Sequence, residues 1–249
     1  MSKKPLSRIA LLGLATGLGA IVAAMLAGFG TKFGWWDYRT GFGVLRWAAE
    51  TGLAGAAISL LGCFLASRPA RRGLSFAATG LMAGLLAYAV PASGLNQARS
   101  VPKIHDITTD TVNPPAFVAV LPVRQKAGAT NSAVYAGESI ASQQRLAYPD
   151  IKPLTAQDTP DRLFDRALLL ARKSGWEILK PDRQSGRIEA TDTTLWFGFK
   201  DDIVIRVQGD VAGGSRLDIR SVSRVGRSDA GANAARIRQY LAALTGHER

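Results

Sequence analysis

Apolar and polar positions change rhythm once along this chain. Ile9 to Phe29 is a run of 21 residues without a charge, which reaches the roughly 20 apolar residues that an α-helix needs to cross a bilayer core. A second run, from about Val44 to Ala66, carries Arg46 and Glu50 near its start and then 16 uncharged residues. A third, Leu74 to Val90, has 17 uncharged residues and stops at Pro91. The pattern predicts a membrane domain at 1–92 with three transmembrane helices, at about 9–29, 44–66 and 74–90. Lys3, Lys4 and Arg8 resemble the basic leader of a signal peptide, but the apolar run behind them is too long for one. Gly13 and Gly17 in the first run, and Gly80 and Gly84 in the third, have the GxxxG spacing that lets helix backbones approach closely.

Beyond residue 92 the pattern shortens. Prolines at 102, 114, 115, 122, 149 and 153 exclude a regular helix across most of 93–154. That segment is expected to be extended and to wrap the soluble domain, with one strand drawn from Phe117, Val118, Val120 and Leu121 and a short helix near Ser139 to Arg145. From 155 to 249 the signals are those of an α+β core. Asp158, Thr159 and Pro160 supply a cap and a first-turn proline for a helix reaching Ser174, and Gly175 ends it. Strands are expected at Trp176 to Leu179, Gly186 to Thr193, Leu195 to Phe199, Ile203 to Val207 and Arg216 to Arg224, and a last helix from Asp229 to Leu244. This order of helix, strands and helix predicts an antiparallel sheet with helices packed on one face, behind an N-terminal three-helix transmembrane bundle.

Charge sharpens the division. The chain carries a formal net charge of +12, of which +7 lies before residue 93, where acids are nearly absent and basic residues sit between apolar runs. Basic residues flanking spans are retained on the cytoplasmic side. Lys3, Lys4, Arg8, Arg68, Arg71 and Arg72 would then lie inside, against Lys32, Arg39, Arg46, Arg99 and Lys103. Three spans with the N-terminus in the cytoplasm place the C-terminal domain on the other side of a cell inner membrane, in the periplasm. The bilayer is the first expected partner; nucleic acid is not one, since the soluble part is only +5 and no helix is uniformly basic.

The inventory for catalysis is thin. His105 and His247 are the histidines and Cys63 is the one cysteine, so neither a zinc-ligand set nor an internal disulfide can form. His105 with Asp106 and Asp110 lacks a nucleophile elbow. Asp201 and Asp202 are adjacent, so on a strand they face opposite sides, and they fall where a hairpin is expected to turn. No catalytic residue, metal or cofactor is assigned.

The best candidate site is the arginine-rich run from Arg216 to Arg238, RLDIRSVSRVGRSDAGANAARIR. Arg220, Arg224 and Arg227 fall near the start of the last helix, with Ser228 or Asp229 as its cap and Asn233 and Arg236 on its polar stripe. Ser221 and Val222 break the alternation, which suggests a bulge or strand end. Two readings stay open for these seven residues. One is an anion site for a phosphate, a carboxylate or a lipid headgroup; the other is an internal network in which Arg220, Arg224 and Asp229 hold the last helix to the sheet.

NPPAFVAV, AYPDIKPL, IEATDTTLWFGFKDDIVIRV and DIRSVSRVGRSDAGANAARIR together resemble the family of proteins of unknown function DUF1499, over about residues 105–245. Membrane spans ahead of the domain are familiar in that family, and the resemblance implies no reaction. The sequence thus points to a membrane-anchored binding or envelope-organising module of unknown ligand, with an anionic small molecule, a lipid headgroup or another envelope protein as the candidate partners. An envelope hydrolase acting on a lipid or polymer, and an accessory subunit of a membrane complex, are the alternatives.

Overall fold

The computed structural model describes residues 5–66, 72–211 and 213–246. Lys3, Lys4, Arg68, Arg71 and His247, which entered the charge and histidine arguments, lie outside the described residues. The chain forms two compact units, one of residues 1–96 with 195–198 and one of 97–194 with 199–249.

The first unit holds α1 (Arg8–Lys32), α2 (Tyr38–Ala66) and the greater part of α3 (Leu74–Ser100), all long and apolar enough to cross a membrane. Its buried positions are almost all small: Gly13, Gly17, Ala20 and Ala24 on α1, Gly52, Ala56 and Ser59 on α2, Gly80, Ala83 and Gly84 on α3. Leu12, Val22, Met25, Leu60, Phe64 and Met82 are exposed instead. That inversion suits a bilayer, where helix association rests on close van der Waals packing of small residues rather than on escape from water. A Cβ added to Gly17 would sit 2.6 Å from the Gly80 carbonyl oxygen, and one on Gly80 2.7 Å from the Leu14 nitrogen. The two GxxxG pairs therefore serve packing among the three helices. Arg46 and Glu50 pair across one turn at 2.8 Å on an exposed face of α2.

Two sequence expectations change in this unit. α3 does not stop at Pro91 but continues to Ser100; proline removes one donor, which a helix of this kind tolerates. Leu195 to Phe199 is not a strand. The Thr194 amide donates to Phe199 O and the Phe199 amide to Thr194 Oγ1, both at 2.8 Å, with Gly198 at φ +68°. Residues 195–198 of this loop belong to the first unit: the Trp196 indole donates to Met25 O at 3.4 Å, and the Phe197 and Phe42 ring centroids lie 5.0 Å apart. Gly28 faces the Trp196 indole where a Cβ would not fit.

The second unit is α+β. Its sheet contains β1 (Asp106–Thr108), β2 (Leu154–Ala156), β3 (Glu177–Asp182), β4 (Arg187–Thr193), β5 (Lys200–Gly209) and β6 (Ser215–Ser223), antiparallel throughout, in the order β1-β6-β5-β4-β3 with β2 also on β6. Between β1 and β2 lie two helices, α4 (Leu121–Lys126) and α5 (Glu138–Ala147). α6 (Pro160–Lys173) and α7 (Ala232–Leu244) cover one face, burying Leu163, Phe164, Ile237 and Leu244 with Ile188, Ile203, Ile205, Leu217 and Ile219. Each fully buried aliphatic side chain contributes about 1.5–3 kcal/mol. Thr159 caps α6 as the sequence predicts.

The other face is covered as well. Phe117 and Val120, beside α4, pack with Val204 and Val222 in a second, small core. Residues 117–120 are therefore not a strand, and between β1 and β2 the chain forms α4 and α5 instead of running extended, with Tyr148 and Ile151 packed into the larger core. β6 keeps its register through Ser223, without a bulge. Val222 points away from α7 because that side has its own core.

Candidate functional site

The two faces of the sheet carry different polar chemistry, and the strand register dictates which residue goes where. Arg220, Val222 and Arg224 share the face covered by α4; Ile219, Ser221 and Ser223 share the face covered by α7.

On the α4 face, Arg220 grips Asp106 with two bonds, Nε at 2.8 Å and Nη2 at 2.7 Å. It also donates to the carbonyls of Pro115 and Ala133 and lies between the rings of Phe117 and Tyr135. Both charged side chains are fully buried, 2% and 3% exposed. The Tyr135 hydroxyl above this pair is pushed up to about 12, first by burial and then by the Asp106 charge. Asp202 accepts from Arg124 at 2.6 Å, from Arg224 at 2.9 and 2.7 Å, and from the Thr191 hydroxyl at 2.7 Å. Glu189 accepts the backbone N–H groups of Val118, Ala119 and Val120 at 2.9–3.0 Å and pairs with Arg187. Asp110 and Asp218 share Arg206 and Arg216. Thus every buried charge on this face either holds the 106–133 segment or neutralises one that does.

On the α7 face, the cross-strand pair Asp192 and Asp201 would place two carboxylates opposite each other, an arrangement that repels. Arg236 of α7 lies between them, Nε 2.8 Å from Asp192 and Nη2 2.7 Å from Asp201. Its Nη1 reaches Ser221 Oγ and Asn233 Oδ1, and the Ser221 hydroxyl donates to Asn233 Oδ1 at 2.6 Å. Asn233 Nδ2 in turn donates to His105 O and Ser223 Oγ, both at 3.0 Å. Ser221 breaks the apolar alternation because it is a member of this network.

The start of α7 is closed by the chain itself. The helix begins at Ala232, after Gly231 at φ +83° and Ala230 at φ +53°. Asp229 accepts the amides of Gly231 at 2.8 Å and Asn233 at 2.9 Å, so a carboxylate already occupies the place an anion would take. Burial nevertheless raises its carboxyl above the ordinary value, and those amides offset the rise only in part. Ser228 Oγ accepts from the Ala230 amide.

The seven residues singled out in the sequence therefore do not converge. Ser228, Asp229, Asn233 and Arg236 gather at the start of α7; Arg220 and Arg224 lie on the opposite face in separate ion pairs. Arg227 is exposed, with no hydrogen bond or ion pair among the described residues. The expectation that Arg220 and Arg224 hold the last helix is corrected: they hold the 106–133 segment, and Arg236 with Asn233 holds α7. Asp201 and Asp202 lie within β5 rather than in a turn, facing opposite sides, each paired to arginine. Sequence reasoning missed Asp106, Arg124 and Glu189 as members of these networks; the only signal was a near balance of acids and bases after residue 92.

Among the described residues, no group of three His, Cys, Asp or Glu side chains could hold a metal ion. No curated protein matches the chain. A family model described as a protein of unknown function (DUF1499) matches residues 106–244, more than half of the chain and every strand of the sheet. The two-faced ionic sheet lies wholly within that match, and the chain belongs to the DUF1499 family.

Proposed function

We propose that this protein is a membrane-anchored binding module of the inner membrane, with its N-terminus in the cytoplasm and its C-terminal domain in the periplasm. One observation carries the preference for binding over catalysis: the buried carboxylates Asp106, Glu189, Asp201, Asp202 and Asp218 all spend their oxygens on arginines, hydroxyls or backbone amides. An acid or base that works on a substrate must reach its proton, and these groups are committed to holding chain segments. The three apolar helices among the described residues support the topology, since an odd number of crossings puts the segments before and after them on opposite sides of the bilayer.

The test is native mass spectrometry of the full chain extracted from its own membrane. A retained small anion or lipid supports the reading, whereas turnover of an envelope lipid or polymer by the same preparation overturns it in favour of a hydrolase. A C-terminal reporter that is active only outside the cytoplasm checks the topology, and inactivity there refutes it.

A further inference from the structure

The α4 face of the sheet ends, beside β3, in a pocket of about 380 Å³. Val123 and Leu179 give it an apolar wall; Lys180, Lys200 and Arg224 give it three cations against the single acid Glu177. Strand geometry explains how the pocket's charges meet. Glu177 pairs in register with Thr191 and Lys180 with Glu189, with a bulge between Ile178 and Lys180. Without that bulge, residues three apart would face opposite sides; with it, Glu177 and Lys180 share the pocket face. Lys200 reaches the same face two residues before Asp202.

Arg224 makes this more than a cleft with surface lysines. Its side chain is 7% exposed, and Nε and Nη2 are spent on Asp202 and Thr191 while Nη1 has no hydrogen-bond partner among the described residues. Asp202 is also held by Arg124. The buried Arg124–Asp202–Arg224 triad therefore keeps one unneutralised positive charge at the pocket wall, where desolvation strengthens its attraction for an anion. Neither Lys180 nor Lys200 has an ion-pair partner among the described residues. A dianion would match the surplus, and the apolar wall would take a short hydrocarbon group.

We propose that this pocket binds a phosphate monoester carrying a short apolar group, through Arg224, Lys180 and Lys200. The proposal rests on the binding-module reading and names its site. The chemistry could be supplied by a free alkyl phosphate ester or by the headgroup of phosphatidic acid.

The experiment uses the full chain in phosphatidylcholine nanodiscs, titrated calorimetrically with hexyl phosphate, and with hexanol and inorganic phosphate for comparison. Hexyl phosphate should bind saturably and more tightly than either. A Lys180→Gln/Lys200→Gln variant, whose exposed positions leave the fold intact as checked by an unchanged melting midpoint, should bind at least about tenfold more weakly. Adding phosphatidic acid to the discs separates the sources: competition with hexyl phosphate in the parent chain identifies the lipid headgroup, and unchanged binding identifies a free ester. No saturable binding, or equal binding by the double variant, overturns the pocket assignment. If the double variant still retains a small anion from its native membrane, the binding-module reading stands and only this site is wrong.

Discussion

Replacing Arg220 by Met should be the most damaging single change in the second unit. The substitution keeps much of the apolar stem but leaves Asp106 charged, 3% exposed and without its two guanidinium bonds. It also strips the Pro115 and Ala133 carbonyls of a donor. Removing one partner of a buried ion pair costs about 3–5 kcal/mol. For a domain of this size each kcal/mol moves the melting midpoint by roughly 2–4 °C, so the expected drop is about 6–20 °C. The melt is followed by near-ultraviolet circular dichroism on the full chain in detergent, with hydrogen exchange to show whether 110–135 opens first. The discriminating partner is Asp106→Leu/Arg220→Met, which removes both charges and should recover most of the loss, because the stranded carboxylate, not the missing attraction, dominates the cost. A drop below roughly 2 °C for the single variant, or a double variant no better than the single, would refute this account of the α4 face.

Three further outcomes are expected. Arg236→Met leaves Asp192 and Asp201 facing each other across β4 and β5, so it should destabilise by about 3 kcal/mol and expose α7 amides to exchange before the sheet; protection of α7 equal to the parent would contradict this. Burial raises the Asp229 carboxyl, so its folded state binds the proton more tightly than the unfolded chain does. Its contribution is fully present below the unfolded value of about 3.9 and is lost as pH rises through the raised folded value. The stability difference, parent minus Asp229→Asn, should therefore fall with rising pH, and a flat or rising difference sinks the argument. Gly17→Val drives a side chain into the Gly80 carbonyl, 2.6 Å from its Cβ, and should lower the melting midpoint of the helical bundle in detergent by several degrees; the same change at Gly19, which has no neighbour within 4 Å, should not.

Which parts of this molecule can be read from residues follows from the range of the forces involved. The spans are legible because charge is excluded over whole helix lengths, a local and additive signal. The cap at Thr159 and the stop at Gly175 are equally local. The arginine-rich run was visible as a pattern, but its meaning was not. Arg220 and Asp106 are 114 residues apart, and Arg124 and Asp202 are 78 apart; no periodicity links them.

The sequence by itself determined the apolar helices, the α+β class and the family, since each depends on composition, local periodicity or motif. Tertiary structure alone decided which arginine meets which acid, that both faces of the sheet are covered, and that Leu195 to Phe199 forms a loop. It also decided that Ser221 looks into a polar network and Val222 into a second core. The reason is physical: a buried charge must find a partner wherever the chain brings one, and packing across the sheet, not spacing along the sequence, supplies it.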